Sequence, residues 1–167
     1  GSDADLDTHW EQAQRARWLA EEAVRRITEA GPLNNNTVQQ ALLWAGFSNR
    51  ILGDNMCAAV IDGGPSQPND EYWKRAEDNF TKAIAVQTGT MQTAAYAGRA
   101  QARVWLGKWA EASADAALVP IAFVYNLPYY SVGDDAQGNR IFWSSGNSRE
   151  SGSAYRAHTE WNTWYYD

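Results

Sequence analysis

What most constrains this chain is the spacing of its apolar residues, which follows a helical rather than a strand period from about residue 8 to residue 120. The first such segment, Thr8 to Ile27, carries Leu19, Ala20, Ala23, Val24 and Ile27 at helical intervals. Thr8 with Glu11 three residues on has the form of a capping box, and Gly31-Pro32 marks its end. A second capping pattern, Thr37 with Gln40, opens a helix through Ala41, Leu42, Ala45 and Leu52 to Gly53. Residues 54–70 contain Gly63-Gly64-Pro65 and Pro68, which predict a loop with room for one short helical turn. Helix resumes from about Asp70 to Val86, with Trp73, Ala76, Phe80, Ala83 and Ile84 on one side. A fourth helix is expected over Met91 to Leu106, and a fifth from Trp109 to Leu118, before Pro120.

The order of small and large residues within these helices narrows the class further. Paired antiparallel helices that repeat need small residues where their backbones touch and a large one filling the gap between them. Ala76, Phe80 and Ala83 have that pattern for a second helix, and Gly46 and Gly53 have it for a first. In a tetratricopeptide repeat of about 34 residues, Gly46 would be followed by its partner alanine near residue 58 rather than at Ala76. The excess of roughly 18 residues coincides with the loop at 54–70. Ala100, Gly107, Trp109 and Ala112 follow the pattern more closely, and Thr8 to Ile27 reads as the second helix of an incomplete preceding repeat. The expected fold is therefore all-α: tetratricopeptide-like repeats of about five helices over residues 1–120, with an insertion at 54–70.

A chain of 167 residues with 44% hydrophobic and 20% charged residues is long and apolar enough to bury one core. Its net charge of −6, without a run of Lys or Arg, argues against a nucleic-acid partner. Cys57 stands alone, so no disulfide can form within the chain. No stretch has the length and apolarity of a membrane span and none reads as a signal peptide; Gly1-Ser2 matches what tag cleavage leaves behind.

Nine Trp and eight Tyr against four Phe is an unusual balance, favouring rings with a hydrogen-bonding edge. After Pro120 the helical period is lost. Residues 121–167 mix Phe123, Tyr125, Tyr129, Tyr130, Trp143, Trp161, Trp164, Tyr165 and Tyr166 with Gly, Ser, Asn and Asp. This predicts an irregular aromatic-rich segment packed on the helices.

Two stretches carry a family resemblance: Ala41-Leu42-Leu43-Trp44-Ala45-Gly46-Phe47-Ser48-Asn49-Arg50, and Tyr96-Ala97-Gly98-Arg99-Ala100-Gln101-Ala102-Arg103-Val104-Trp105-Leu106-Gly107-Lys108-Trp109. With Asn139-Arg140-Ile141-Phe142-Trp143 and the terminal Tyr165-Tyr166-Asp167, the chain resembles the SusD-like (RagB/SusD) family. The resemblance implies a nutrient-binding lipoprotein of the outer membrane, exposed at the cell surface. Such proteins bind glycan or another oligomeric nutrient and cover a SusC-like TonB-dependent transporter. Members of that family are longer and carry a lipidated N-terminal cysteine, so this chain reads as a fragment, and Cys57 is not the lipid anchor.

No constellation points to an enzyme, a metal or a cofactor. His9 and His158 stand far apart, and His158 with Glu160 and Asp167 lacks metal-ligand spacing. Asp134-Asp135, followed by Gly138 and Asn139, departs from the helix-loop-helix calcium pattern and fits a solvated turn. Cys57 is expected to be a small buried residue. Trp44, Trp73, Trp105 and Trp109 lie at core spacing and are expected to pack inside. Candidate ligand-binding residues are Trp143, Trp161, Trp164, Tyr165, Tyr129 and Tyr130. Flat indole and phenol faces stack on sugar C–H patches while polar neighbours meet the hydroxyls. The plainer reading is that these rings only pack the tail. The expected function is non-catalytic binding of glycan or oligomeric nutrient, with a helical-repeat scaffold for protein partners as the alternative.

Overall fold

In a computed structural model the chain is all-α, with five helices and one two-stranded ribbon among the described residues. The structure describes residues 4–31, 35–86 and 88–126. The helices are α1 (Ala4–Glu29), α2 (Asn35–Asn55), α3 (Asp70–Val86), α4 (Gly89–Trp105) and α5 (Trp109–Ala116). Each packs against the next in sequence, and α2 also meets α4. All five lie in one compact unit ending at Tyr125.

The boundaries follow local chemistry closely at α3 and less so elsewhere. Asp70 and Glu71 sit in the first turn of α3, where the helix dipole favours negative charge. The capping patterns misplaced two starts: α1 begins at Ala4 and α2 at Asn35, so Thr8 and Thr37 fall inside their helices. The end of α4 is set by Gly107, whose φ of +71° suits a residue without a Cβ. Lys108 N–H donates to the Arg103 carbonyl (2.8 Å) and Gly107 N–H to the Val104 carbonyl (3.0 Å), the double bond of a Schellman cap.

The core forms where α2, α3 and α4 converge on Phe80. Leu42, Leu43, Trp73, Ala76, Phe80, Ala83, Ala94, Ala95 and Ala102 make one buried cluster. Gly46 of α2 and Gly98 of α4 face the Phe80 ring, and a methyl group at Gly46 would sit 2.5 Å from it. Gly53 abuts the indole of Trp73 in the same way. The glycine and aromatic spacing in the sequence thus has a direct cause: a large side chain from α3 fills the space that glycines on its neighbours leave open. After α5 the chain returns to this core, and Tyr125 stacks on Phe47 with ring centres 5.9 Å apart.

Three expectations are corrected by the packing. Of the four tryptophans at core spacing only Trp73 is buried, while Trp44, Trp105 and Trp109 are 41%, 62% and 67% exposed. Trp73 has Gly53 of α2 against its indole and Trp105 of α4 stacked on it (5.5 Å, 15°), whereas Trp105 remains largely exposed. Leu19 of α1 is also exposed, because α1 packs on α2 and leaves that side uncovered. Cys57 is exposed as well, just before the ribbon.

An ion network joins α3, α4 and α5. Glu77 accepts from Arg103 (2.9 Å) and Lys108, while Arg103 also reaches Asp115 (2.8 Å). Burial alone would raise the Glu77 carboxyl, but the hydrogen bonds from Lys108 and Arg103 outweigh it and hold the group below its ordinary value. A carboxyl depressed on folding stabilises the fold fully above the unfolded value near 4.5, and that stabilisation disappears as pH falls through the folded value. Urea midpoints measured between pH 6 and pH 3 should therefore fall less steeply in Glu77→Gln than in the unsubstituted chain. Parallel curves would show that Glu77 gains nothing from its partners.

Candidate functional site

The site begins with a row on α1. Trp10, Gln14 and Trp18 are four residues apart, which brings them along one side of the helix. The two indoles are 40% and 46% exposed, a large apolar area to leave in water. Opposite them stands the insertion between α2 and α3. It is an ordered hairpin rather than the expected loop with room for a short helical turn: Ala58–Ala59 pairs antiparallel with Gln67–Pro68. At its tip Gly64 N–H donates to the Ile61 carbonyl (2.8 Å), with positive φ at both Asp62 (+51°) and Gly63 (+74°). Those signs are the type I′ pattern, for which Asp-Gly is a favoured pair.

Between helix row and hairpin lies an open cleft of about 380 Å³, lined by Trp10, Gln14, Arg17, Trp18, Val60 and Asp62, with Glu11, Arg15 and Gly63 at its rim. Its floor is a polar network that fastens the hairpin to the helices. Tyr72 of α3, fully buried, donates through its hydroxyl to the Val60 carbonyl and accepts from Val60 N–H, both at 3.1 Å. Gln14 Nε2 donates to the same hydroxyl (2.6 Å) and to the Val60 carbonyl (3.1 Å). At the other end Asn69 donates to the carbonyls of Gly53 and Met56 and accepts from Trp73 Nε1 (2.9 Å).

Arg17 is the centre of this floor. It is 1% exposed, yet each guanidinium nitrogen has an acceptor: Nε meets Gln14 Oε1 (3.1 Å), Nη1 meets Glu21 (2.6 Å) and Nη2 meets Asp62. A buried cation is tolerated only when compensated in this way. Glu21 in turn takes Asn49 Nδ2 (2.8 Å) and lies 3.5 Å from Arg75. Asn49 Oδ1 is buried with no hydrogen-bond partner among the described residues. Every side-chain nitrogen and oxygen of Gln14 and Arg17 thus has at least one partner. The polar groups open to an incoming molecule are the free oxygen of Asp62, Glu11 and Arg15, which have no hydrogen bond or ion pair among the described residues.

The chain matches no family model. No curated protein and no solved structure matches it either. Two half-exposed indoles supply flat apolar faces, and the hairpin opposite supplies hydrogen-bonding groups across the gap. Among the described residues no group of three or more His, Cys, Asp or Glu is placed to hold a metal ion, and no helix is long and apolar enough to cross a membrane.

Trp143, Trp161, Trp164, Tyr165, Tyr129 and Tyr130, the residues that composition singled out, lie outside the described residues, as do His158 and Asp134-Asp135. Trp10 and Trp18 stand far from the aromatic-rich tail in the sequence, so composition does not single them out. Two signals pointed to them: the four-residue spacing of Trp10, Gln14 and Trp18, and an Asp62-Gly63 turn inside the supposed loop.

Proposed function

We propose that this chain is a non-catalytic binding module for a glycan or another oligomeric nutrient. The observation that carries this reading is the pairing of Trp10 and Trp18 with a polar hairpin across an open cleft. Saccharides need an apolar stacking face and hydrogen-bond partners together. Delivery to a SusC-like TonB-dependent transporter at the outer-membrane surface extends the proposal along the family resemblance, with a tetratricopeptide-like array as the scaffold. The sequence stretches quoted above support that extension.

Titration of the chain with a panel of oligosaccharides, followed by tryptophan fluorescence and calorimetry, tests it. Trp10→Ala and Trp18→Ala should each weaken binding about five- to thirtyfold, because burying an aromatic face contributes roughly 1–2 kcal/mol. A folded chain that binds no saccharide sinks the glycan reading. The scaffold reading rests on a separate observation, the exposed Val104, Trp105 and Trp109 near the junction of α4 and α5. It gains ground if Trp105→Ala, and neither cleft variant, disrupts assembly with a purified protein partner.

A further inference from the structure

We infer that Asp62 makes the cleft selective for neutral saccharides that offer adjacent hydroxyls, against saccharides carrying carboxylate or sulfate groups. This rests on the glycan reading above and specifies the ligand of that same cleft. One oxygen of the Asp62 carboxylate is held by Arg17 Nη2, while the other has no hydrogen-bond partner among the described residues. The side chain is 56% exposed at the hairpin tip and lines the cleft that Trp10 and Trp18 also line.

The charges around it decide the class of ligand. Arg17 is withdrawn from an incoming anion, because its side chain is buried and each of its nitrogens already donates to a neighbour. The open charged groups on the lining are Asp62, Glu11 and Arg15, two carboxylates against one guanidinium. Glu11 and Arg15 are four apart on α1, where opposite charges offset one another. Arg17 is shared between Asp62 and Glu21 and so offsets the Asp62 charge only in part, while the second Asp62 oxygen is open to the gap. A sugar hydroxyl donating to it forms a charge-assisted bond, stronger than a neutral one. A second hydroxyl on the adjacent carbon finds the neighbouring oxygen of the same carboxylate, whose remaining lone pairs accept it. An anionic sugar in that place meets a like charge instead. Arg17 also fixes the orientation of the carboxylate, so the acceptor is in position before the ligand arrives.

Two oligosaccharide series of equal length serve as probes: neutral glucan, mannan and xylan oligomers, and oligogalacturonates. The full chain should bind at least one neutral series about tenfold or more tightly than the uronates. Asp62→Asn keeps an oxygen for Arg17 but removes the charge, and it should narrow that ratio about tenfold. Thermal melts report whether the hairpin remains in place. A measurement free of substitution runs beside it: raising salt from 0.05 to about 0.5 M should relieve the rejection of uronates in the unsubstituted chain. An unchanged ratio in a folded Asp62→Asn, or a salt-independent ratio, overturns the role of Asp62 while the tryptophan variants still report on the cleft. Preference for uronates overturns it too. Absence of binding by every oligomer removes the glycan reading and this inference with it.

Discussion

Phe80→Ala should lower the stability of this chain by about 3–5 kcal/mol, the range for deleting a buried aromatic side chain that its surroundings cannot replace. Phe80 is fully buried at the meeting of α2, α3 and α4. Collapse into the vacancy is hard, because the facing residues, Gly46 and Gly98, have no side chains to fill it. A loss of that size is a large fraction of the roughly 5–15 kcal/mol that holds a domain folded. The reverse error is informative as well. Gly98→Ala places a methyl group against the ring from the α4 side, and overpacking of this kind costs about 1–3 kcal/mol. Phe80→Leu in the Gly98→Ala background should recover part of the loss, since the shorter side chain leaves room for the methyl. Urea denaturation of the three variants and their combination checks this. Additive losses in the double variant would mean that the glycine and the ring are not in contact.

Asp115→Ala comes next in expected size, at about 3–5 kcal/mol, for an electrostatic rather than a steric reason. Asp115 is 2% exposed and accepts two bonds from Arg99 (2.8 and 2.7 Å) and one from Arg103 (2.8 Å). Its removal leaves two guanidinium groups facing each other with too few acceptors. Arg103 retains Glu77, but among the described residues Arg99 keeps only Thr81 Oγ1 (3.2 Å) and the face of Tyr96 (5.5 Å). Replacing the pair together, Asp115→Leu with Arg99→Met, should cost less than Asp115→Ala alone, because no uncompensated charge remains. Since α5 is short and buries only Ala112 and Asp115, hydrogen exchange in α5 should quicken before the rest of the chain loosens. A loss under about 1 kcal/mol would indicate that water replaces the carboxylate at little cost.

Phe80 and Asp115 differ in how far the sequence announces them. The Gly46, Phe80 and Ala83 spacing could be read from the chain, and the helices meet where that spacing implies. Asp115 gave no such signal, since a helical acid ordinarily faces water, and its burial exists only because Arg99 and Arg103 of α4 enclose it. The cleft shows the same division. Trp10, Gln14 and Trp18 lie in a helical row by their spacing alone. Gln14 meets Val60 and Tyr72 across separations of 46 and 58 residues, which no local pattern encodes.

By itself the sequence determined the all-α class, the approximate extent of α3 and the place of the insertion between α2 and α3. Helical period, acidic first turns and glycine caps act within a few residues, so they can be read without knowing the rest of the chain. Only the tertiary structure decided that Trp73 is buried while Trp44, Trp105 and Trp109 are not, that Cys57 faces solvent, and that the insertion is a hairpin forming one wall of a cleft. Burial is a property of what covers a residue. At equal spacing, Trp73 has Gly53 of α2 and Trp105 of α4 against it while Trp105 remains largely exposed, and that difference arises only when the helices pack.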